Sequence, residues 1–226
     1  MELATSAGPL VQWSWISSEE GTILSLLLQH IELTVIAVAV GLAISLPLGV
    51  LVWRLHPLRA PLIGFAGILY VIPSIALLSL VAPLTGFFSI TTAEVALVSY
   101  TLLILLRNTV AGFESVPEDV NEAAGGMGYS SPQVLLKVQL PLALPSVLAG
   151  LRVATVTVVG LVNVTALLGQ GGLGQLIIQG FTEDFNTPVV VGLVLSVLLA
   201  GVADAVLVVA ERASIPWLRK VSAPAR

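Results

Sequence analysis

The sequence predicts an all-α integral membrane protein with five transmembrane helices. Three observations carry this. Only 10% of the 226 residues are charged, against ~25% in ordinary soluble domains. Mean hydropathy is +1.03. The apolar segments run on for roughly 20 residues without alternating, the length of a bilayer-crossing helix and a pattern that excludes a barrel.

The first span is 33–53, with no charged residue in it. Residues 16–30 precede it and read as a short helix on the outer membrane surface. Residues 60–93 again carry no charge. That run is too long for one helix, and the Pro-Leu-Thr-Gly of 83–86 ends a second span of 61–83. The third span is 91–110, the fourth 145–168 and the fifth 188–210. The chain 1–226 thus reads as a single transmembrane domain, with one long polar loop at 113–141. Gly41, Ser45 and Gly49 line one face of the first span, a small-residue stripe that lets backbones approach closely. It serves packing within the subunit or an interface between subunits.

Lys and Arg positions orient the chain. Arg54, Arg59, Arg107, Lys137, Arg212, Arg219, Lys220 and Arg226 all fall on one side of a five-span topology. The positive-inside rule makes that side the cytoplasm. The N-terminus is then expected outside, and the C-terminus and the 113–141 loop inside. The N-terminus has no basic stretch before its first apolar run and does not read as a cleavable signal.

Composition excludes several classes. There are no cysteines, so no disulfide or thiolate chemistry. The two histidines, His30 and His56, lie far apart, and no metal cluster is expected. No basic patch points to nucleic acid. Residues 169–174 (GQGGLG) match G-x-G-x-x-G, but the dinucleotide fingerprint needs a strand before it and a βαβ unit around it. Here a membrane span precedes it, so it reads as a tight outer turn. The only lysines, Lys137 and Lys220, follow no glycine, so there is no phosphate-binding loop.

The 113–141 loop has its own layout. Acids followed by alanines favour a helix start, and Pro117 suits its first turn. Gly126 or Gly128 suits its end. A second short helix follows, capped by Ser130 or Ser131 with Pro132 in its first turn. Pro141 and Pro145 are expected to turn the chain back into the membrane.

Glu94 and Arg107 sit near the two ends of the third span, and two further charges lie deeper inside spans. Arg152 and Asp204 each sit ~10 Å in from the inner end of their helix. Intramembrane charges are costly and tend to pair or face water. Either they share one polar site or Arg152 snorkels to the headgroups. Tyr70 and Tyr100, within the second and third spans, are candidate pathway aromatics, since aromatic faces attract quaternary ammonium groups. Lipid or packing contact is the alternative.

Glu122, Ala123 and Ala124 are followed after three residues by Gly128, and after nine more by an aliphatic residue, Val138, one residue before Leu140-Pro141. This resembles the EAA loop of permease subunits of bacterial ABC importers; Val138 stands where isoleucine is commoner. HIELT at 30–34, ISLPLG at 44–49, IPSIALL at 72–78, LLRNTVAGFESVP at 105–117, LPLALPSVLAGLR at 140–152 and GQGGLGQLI at 169–177 narrow the resemblance. They look like the quaternary-amine (osmoprotectant) importer permeases, over about residues 22–212. GLVNVTA at 160–166 departs from that pattern, which marks Asn163 as a residue of the pathway lining or a partner surface.

The resemblance implies a type I ABC importer-like permease in the bacterial cytoplasmic membrane, importing glycine betaine, carnitine, choline or proline. It implies no enzyme activity and no cofactor on this chain, with ATP and Mg on a partner ATPase. It implies three partners: a cytoplasmic ABC ATPase, a second permease subunit of the same or a similar kind, and an extracytoplasmic substrate-binding protein. Glu122, Ala123, Ala124, Gly128, Leu140 and Pro141 would form the ATPase-coupling segment. A methionine permease has similar architecture, and an autonomous channel or ion-coupled transporter is the reading from another class.

Overall fold

A computed structural model describes residues 10–215 of the chain. Arg219, Lys220 and Arg226 lie outside the described residues. The order of helices is α1 (Trp13–Ser18), α2 (Glu20–Arg54), α3 (Arg59–Val71), α4 (Ser74–Thr85), α5 (Ile90–Glu114), α6 (Glu118–Gly126), α7 (Ser131–Val134), α8 (Leu140–Thr165), α9 (Gly174–Thr182) and α10 (Asn186–Ser214). A π-helical segment, Leu135–Gln139, joins α7 to α8.

α5 is the central helix, with thirteen buried residues. It packs on α2 and on α8. Leu33, Ala37, Ala93, Leu97, Val158 and Val162 form one core cluster across these three helices. The small-residue stripe belongs here. A Cβ on Gly41 would sit 1.9 Å from Thr101 Oγ1, and one on Gly49 would sit 2.4 Å from Thr109 Cγ2. The stripe is therefore filled by α5 of the same chain. These contacts also make α2 and α5 parallel, since residues 41 and 49 meet 101 and 109 in order. Arg59 pairs with Glu114, which puts the start of α3 beside the end of α5. α8 and α10 run antiparallel. The described Lys and Arg other than Arg152 therefore gather at one end of the bundle, the end that carries α6.

Three expectations are corrected. Residues 16–30 are not a separate surface helix. α1 is short, and α2 is continuous from Glu20 to Arg54, 35 residues or ~52 Å long. Glu32 interrupts the apolar run but not the backbone hydrogen bonding, so hydropathy marks only the lipid-matched part of the helix.

The second span is not one helix. α3 and α4 meet at a bend of 103°. Pro73 has no amide to continue the ladder, and it holds Ile72 out of the helical region; Ile72 has φ -59 and ψ 127. The described residues thus contain four spanning helices, or five spans if the bent pair counts as one.

The chain does not turn at Pro141 and Pro145. α7, the π segment and α8 form one long helical run from Ser131 to Leu168. The Leu140 amide bonds to Leu135 O, five residues back. The wider π turn accommodates the proline that follows, where an α-helix would leave a gap in the ladder.

α10 lies on the outside. Val194, Val197, Leu198, Val202, Val206 and Val209 are all exposed. So continuous an apolar face needs lipid or another helix around it.

Candidate functional site

α6 is held out at the basic end of the bundle. Pro117 precedes it in extended conformation, and Glu118 and Asp119 occupy its first turn, where carboxylates complement the helix dipole. Its end is a Schellman motif. Gly128 has φ +83; the Gly128 amide donates to Gly125 O, and the Tyr129 amide to Ala124 O. That geometry calls for a left-handed residue at position 128, which explains the glycine. Gly126 is the last helical residue, so of the two candidates Gly128 makes the turn.

Ala124 faces the bundle and is 1% exposed. Glu122, Ala123, Met127 and Tyr129 face outward. The turn into α7 is fixed by the Ser130 amide donating to Gln133 Oε1 at 2.8 Å. Lys137 Nζ lies 5.9 Å from the Tyr129 ring centroid.

One contact ties α6 to the membrane helix. Gln139, nearly buried in the π turn, donates from Nε2 to Asn121 Oδ1 at 2.9 Å. Sequence reasoning missed both residues. Leu140 and Pro141 are half-buried at the root of α8 and line a groove with Leu42 and Leu46. They belong to α8, whereas Glu122, Ala123, Ala124 and Gly128 belong to α6 and its turn.

Arg152 and Asp204 meet. Arg152 Nε reaches Asp204 Oδ1 at 2.8 Å and Nη2 reaches Oδ2 at 3.0 Å. Nη1 also reaches Glu211 Oε2 at 3.4 Å. Glu211 lies two turns beyond Asp204 on the same face of α10, a partner that depth counting did not include. Asn163 is not in this cluster. It sits three turns further along α8, ~16 Å away, where its Oδ1 accepts from Ser196 Oγ at 3.1 Å. Polar contacts thus hold α8 to α10 at two separate depths.

Tyr70 and Tyr100 also come together, with ring centroids 6.0 Å apart in an edge-to-face arrangement. The Tyr100 hydroxyl donates to Ile72 O at the helix break.

At the opposite end of the bundle the 169–174 turn is anchored on α2. Gln29 Oε1 accepts from the Gly172 amide at 3.1 Å and from Gln175 Nε2 at 3.0 Å. Gly172 has φ +49, and a Cβ there would meet His30 Cβ at 2.6 Å. The glycines serve a tight turn packed on a helix.

The described helices of membrane-spanning length carry a short helix, α6, on the stalk of one of them, an arrangement that suits a transport subunit of the permease class. The chain belongs to the family of binding-protein-dependent transport system inner membrane components, whose sequence model matches residues 40–215. It is a non-catalytic membrane subunit of an ABC transporter, as the 122–141 spacing leads one to expect. The osmoprotectant import permease protein OsmW of Salmonella typhimurium (strain LT2) is 37% identical over 188 residues, covering 81% of this chain and 87% of the relative. The choline transport system permease protein OpuBB of Bacillus subtilis (strain 168) is 34% identical over 202 residues, covering 89% and 93%. Among solved structures, an inward-facing form of the MetNI methionine ABC transporter is similar with a TM-score of 0.78 at 26% identity, covering 85% of this chain and 95% of the matched chain.

Proposed function

We propose that this chain is half of the translocation pore of an ATP-driven importer for quaternary amines and related osmoprotectants, such as glycine betaine, carnitine, choline or proline. The relatives named as osmoprotectant and choline permeases support the substrate class. The basic end of the bundle faces the cytoplasm, by the positive-inside rule, and the start of α2 faces outside. A second permease subunit, identical or similar, completes the pore. An extracytoplasmic binding protein delivers solute near the 169–174 turn. ATP and Mg stay on a cytoplasmic ATPase.

The observation that carries the coupling role is the Gln139–Asn121 bond between α6 and the long helix of 131–168. α6 docks in a groove of the ATPase. Glu122 supplies a polar contact, Ala123 allows close approach, and Met127 and Tyr129 bury apolar surface. Ala124 packs α6 back on its own bundle, Gly128 makes the turn, and Leu140 and Pro141 root the lever. ATP-driven closure moves α6 as a rigid body. The bond to Gln139 passes that motion to α8, and the Arg152–Asp204 pair passes it to α10. Small shifts then switch the pore between two packed states.

The test is uptake by proteoliposomes holding the permease, its ATPase and its binding protein, over a panel of glycine betaine, choline, carnitine, proline and methionine. ATP-dependent uptake of the quaternary amines is expected. Uptake of methionine alone would assign the other substrate, and uptake without ATPase subunits would overturn the importer reading.

A further inference from the structure

Breaking a helix inside a membrane is costly, because backbone groups in lipid must find partners. The α3–α4 break lies about halfway along the bundle. Tyr70 is eleven residues along from Arg59, at the basic end, and Tyr100 is fourteen short of Glu114 at that same end; both therefore lie ~15–20 Å in. At this depth non-helical backbone is tolerated only where it is buried in protein or lines a cavity.

A cleft of about 280 Å³ opens at the break, lined by Tyr70, Ile72, Pro73, Ser74, Tyr100 and Thr157 among others. That is at the small end of the range for ligand pockets, ~300 Å³ and upward. Its lining is neither charged nor purely apolar. Tyr70 is 39% exposed, and Tyr100 is 6% exposed, so Tyr70 is the accessible ring of the edge-to-face pair and Tyr100 its buried support. The last carbonyls of α3 end at the same cleft, and Pro73 cannot supply the amide that would close on Leu69 O. The Tyr100 hydroxyl satisfies Ile72 O and so fixes the break in place. Ring face and carbonyl oxygens are both negative partial charge, with no formal charge to hold a cation permanently.

We propose that this cleft is a transit site for the quaternary ammonium group of the solute midway through the membrane, with the Tyr70 ring as its principal contact. This rests on the substrate class proposed above. A cation seated on an aromatic face gives up less hydration than a primary ammonium would, because a quaternary group has no N–H to leave unpaired. An open, uncharged cleft holds such a group briefly, which is what a pathway needs. Ser74, also in the lining, offers a hydroxyl to the carboxylate of a zwitterionic solute.

The experiment uses the complete transporter in proteoliposomes with saturating, solute-loaded binding protein. Because the binding protein is unaltered, a change in uptake reports the membrane step. Tyr70→Leu is expected to slow choline and glycine betaine uptake on the order of tenfold, while ATP hydrolysis stimulated by the binding protein continues. Tyr70→Phe should restore most of the lost rate. Replacing Tyr70 with phenylalanines carrying one, two or three ring fluorines should lower uptake in step with ring electron density, which a purely structural role would not produce. Quaternary-amine uptake that is insensitive to Tyr70→Leu or to fluorination overturns the site and leaves the substrate class standing. Absence of quaternary-amine uptake by the unsubstituted transporter overturns both.

Discussion

Gln139 in the π turn donates a 2.9 Å hydrogen bond to Asn121 inside α6. The donor belongs to the stalk of a membrane helix and the acceptor to the helix that leaves the membrane. Gln139 is buried but Asn121 is only half-buried, so losing the bond costs the net worth of a hydrogen bond, ~0.5–1.5 kcal/mol. Gln139→Leu is expected to lower ATP-driven uptake several-fold with normal protein in the membrane. The checking measurement is solute transported per ATP hydrolysed. A ratio equal to that of the unsubstituted transporter would show that motion does not pass through this bond.

Gly128 sits at φ +83, where a residue with a Cβ is strained by ~1–2 kcal/mol. Gly128→Asp is expected to uncouple uptake without removing the protein from the membrane, because it sets a charge into the turn beside the proposed docking face, while the turn and its surroundings are exposed and do not hold the bundle together. Gly128→Asn should do less damage than Gly128→Val, since asparagine tolerates the left-handed region. Uptake assays on the three variants, normalised to protein by immunoblot, give the order. Equal activities in all three would remove the Schellman turn from the coupling mechanism.

Gly41 leaves no room beside Thr101. Gly41→Ala places a methyl 1.9 Å from Thr101 Oγ1, an overpacking that costs ~1–3 kcal/mol. A Tm lowered by several degrees in detergent is expected. Thr101→Ala in the same chain should recover part of the loss, since it removes the nearest atom. A Tm unchanged by Gly41→Ala would mean that α2 and α5 are not held at this separation.

Much of this was legible from local rules. The 122–128 spacing encodes a helix and its Schellman end, and each residue there answers to backbone geometry within one turn. Equal depth on two helices left Arg152 either paired with Asp204 or snorkelling to the headgroups, and the structure forms the pair. What stayed hidden depends on angles and on pairs distant in sequence. Hydropathy marks residues 61–83 as apolar whether or not the helix bends at Pro73, although the Ile72-Pro73 pair carried the signal. It ends the first span at Leu33 because of Glu32, yet the helix runs back to Glu20. Gln139 and Asn121 are ordinary amides in a polar loop, and only the π turn brings one over the other. Gln29 reads as part of a helix end until Gly172 is seen resting on it.

Arg152 is gripped by Asp204 and touched by Glu211, so removing Arg152 strands two carboxylates inside the membrane, whereas removing Asp204 leaves Arg152 only its longer contact to Glu211. Asp204→Asn and Arg152→Met are each expected to lower Tm and uptake. The double variant Arg152→Met with Asp204→Leu should be less unstable than Arg152→Met alone, since it removes the stranded Asp204 charge. Charge reversal, Arg152→Asp with Asp204→Arg, should recover only part of the function, because the new aspartate faces Glu211. Adding Glu211→Gln to the reversed pair removes that repulsion and should recover more. The series is checked by Tm and by uptake in proteoliposomes. If the reversed pair recovers nothing lost in the single variants, with or without Glu211→Gln, then the ionic contact does not join α8 to α10 in the working transporter.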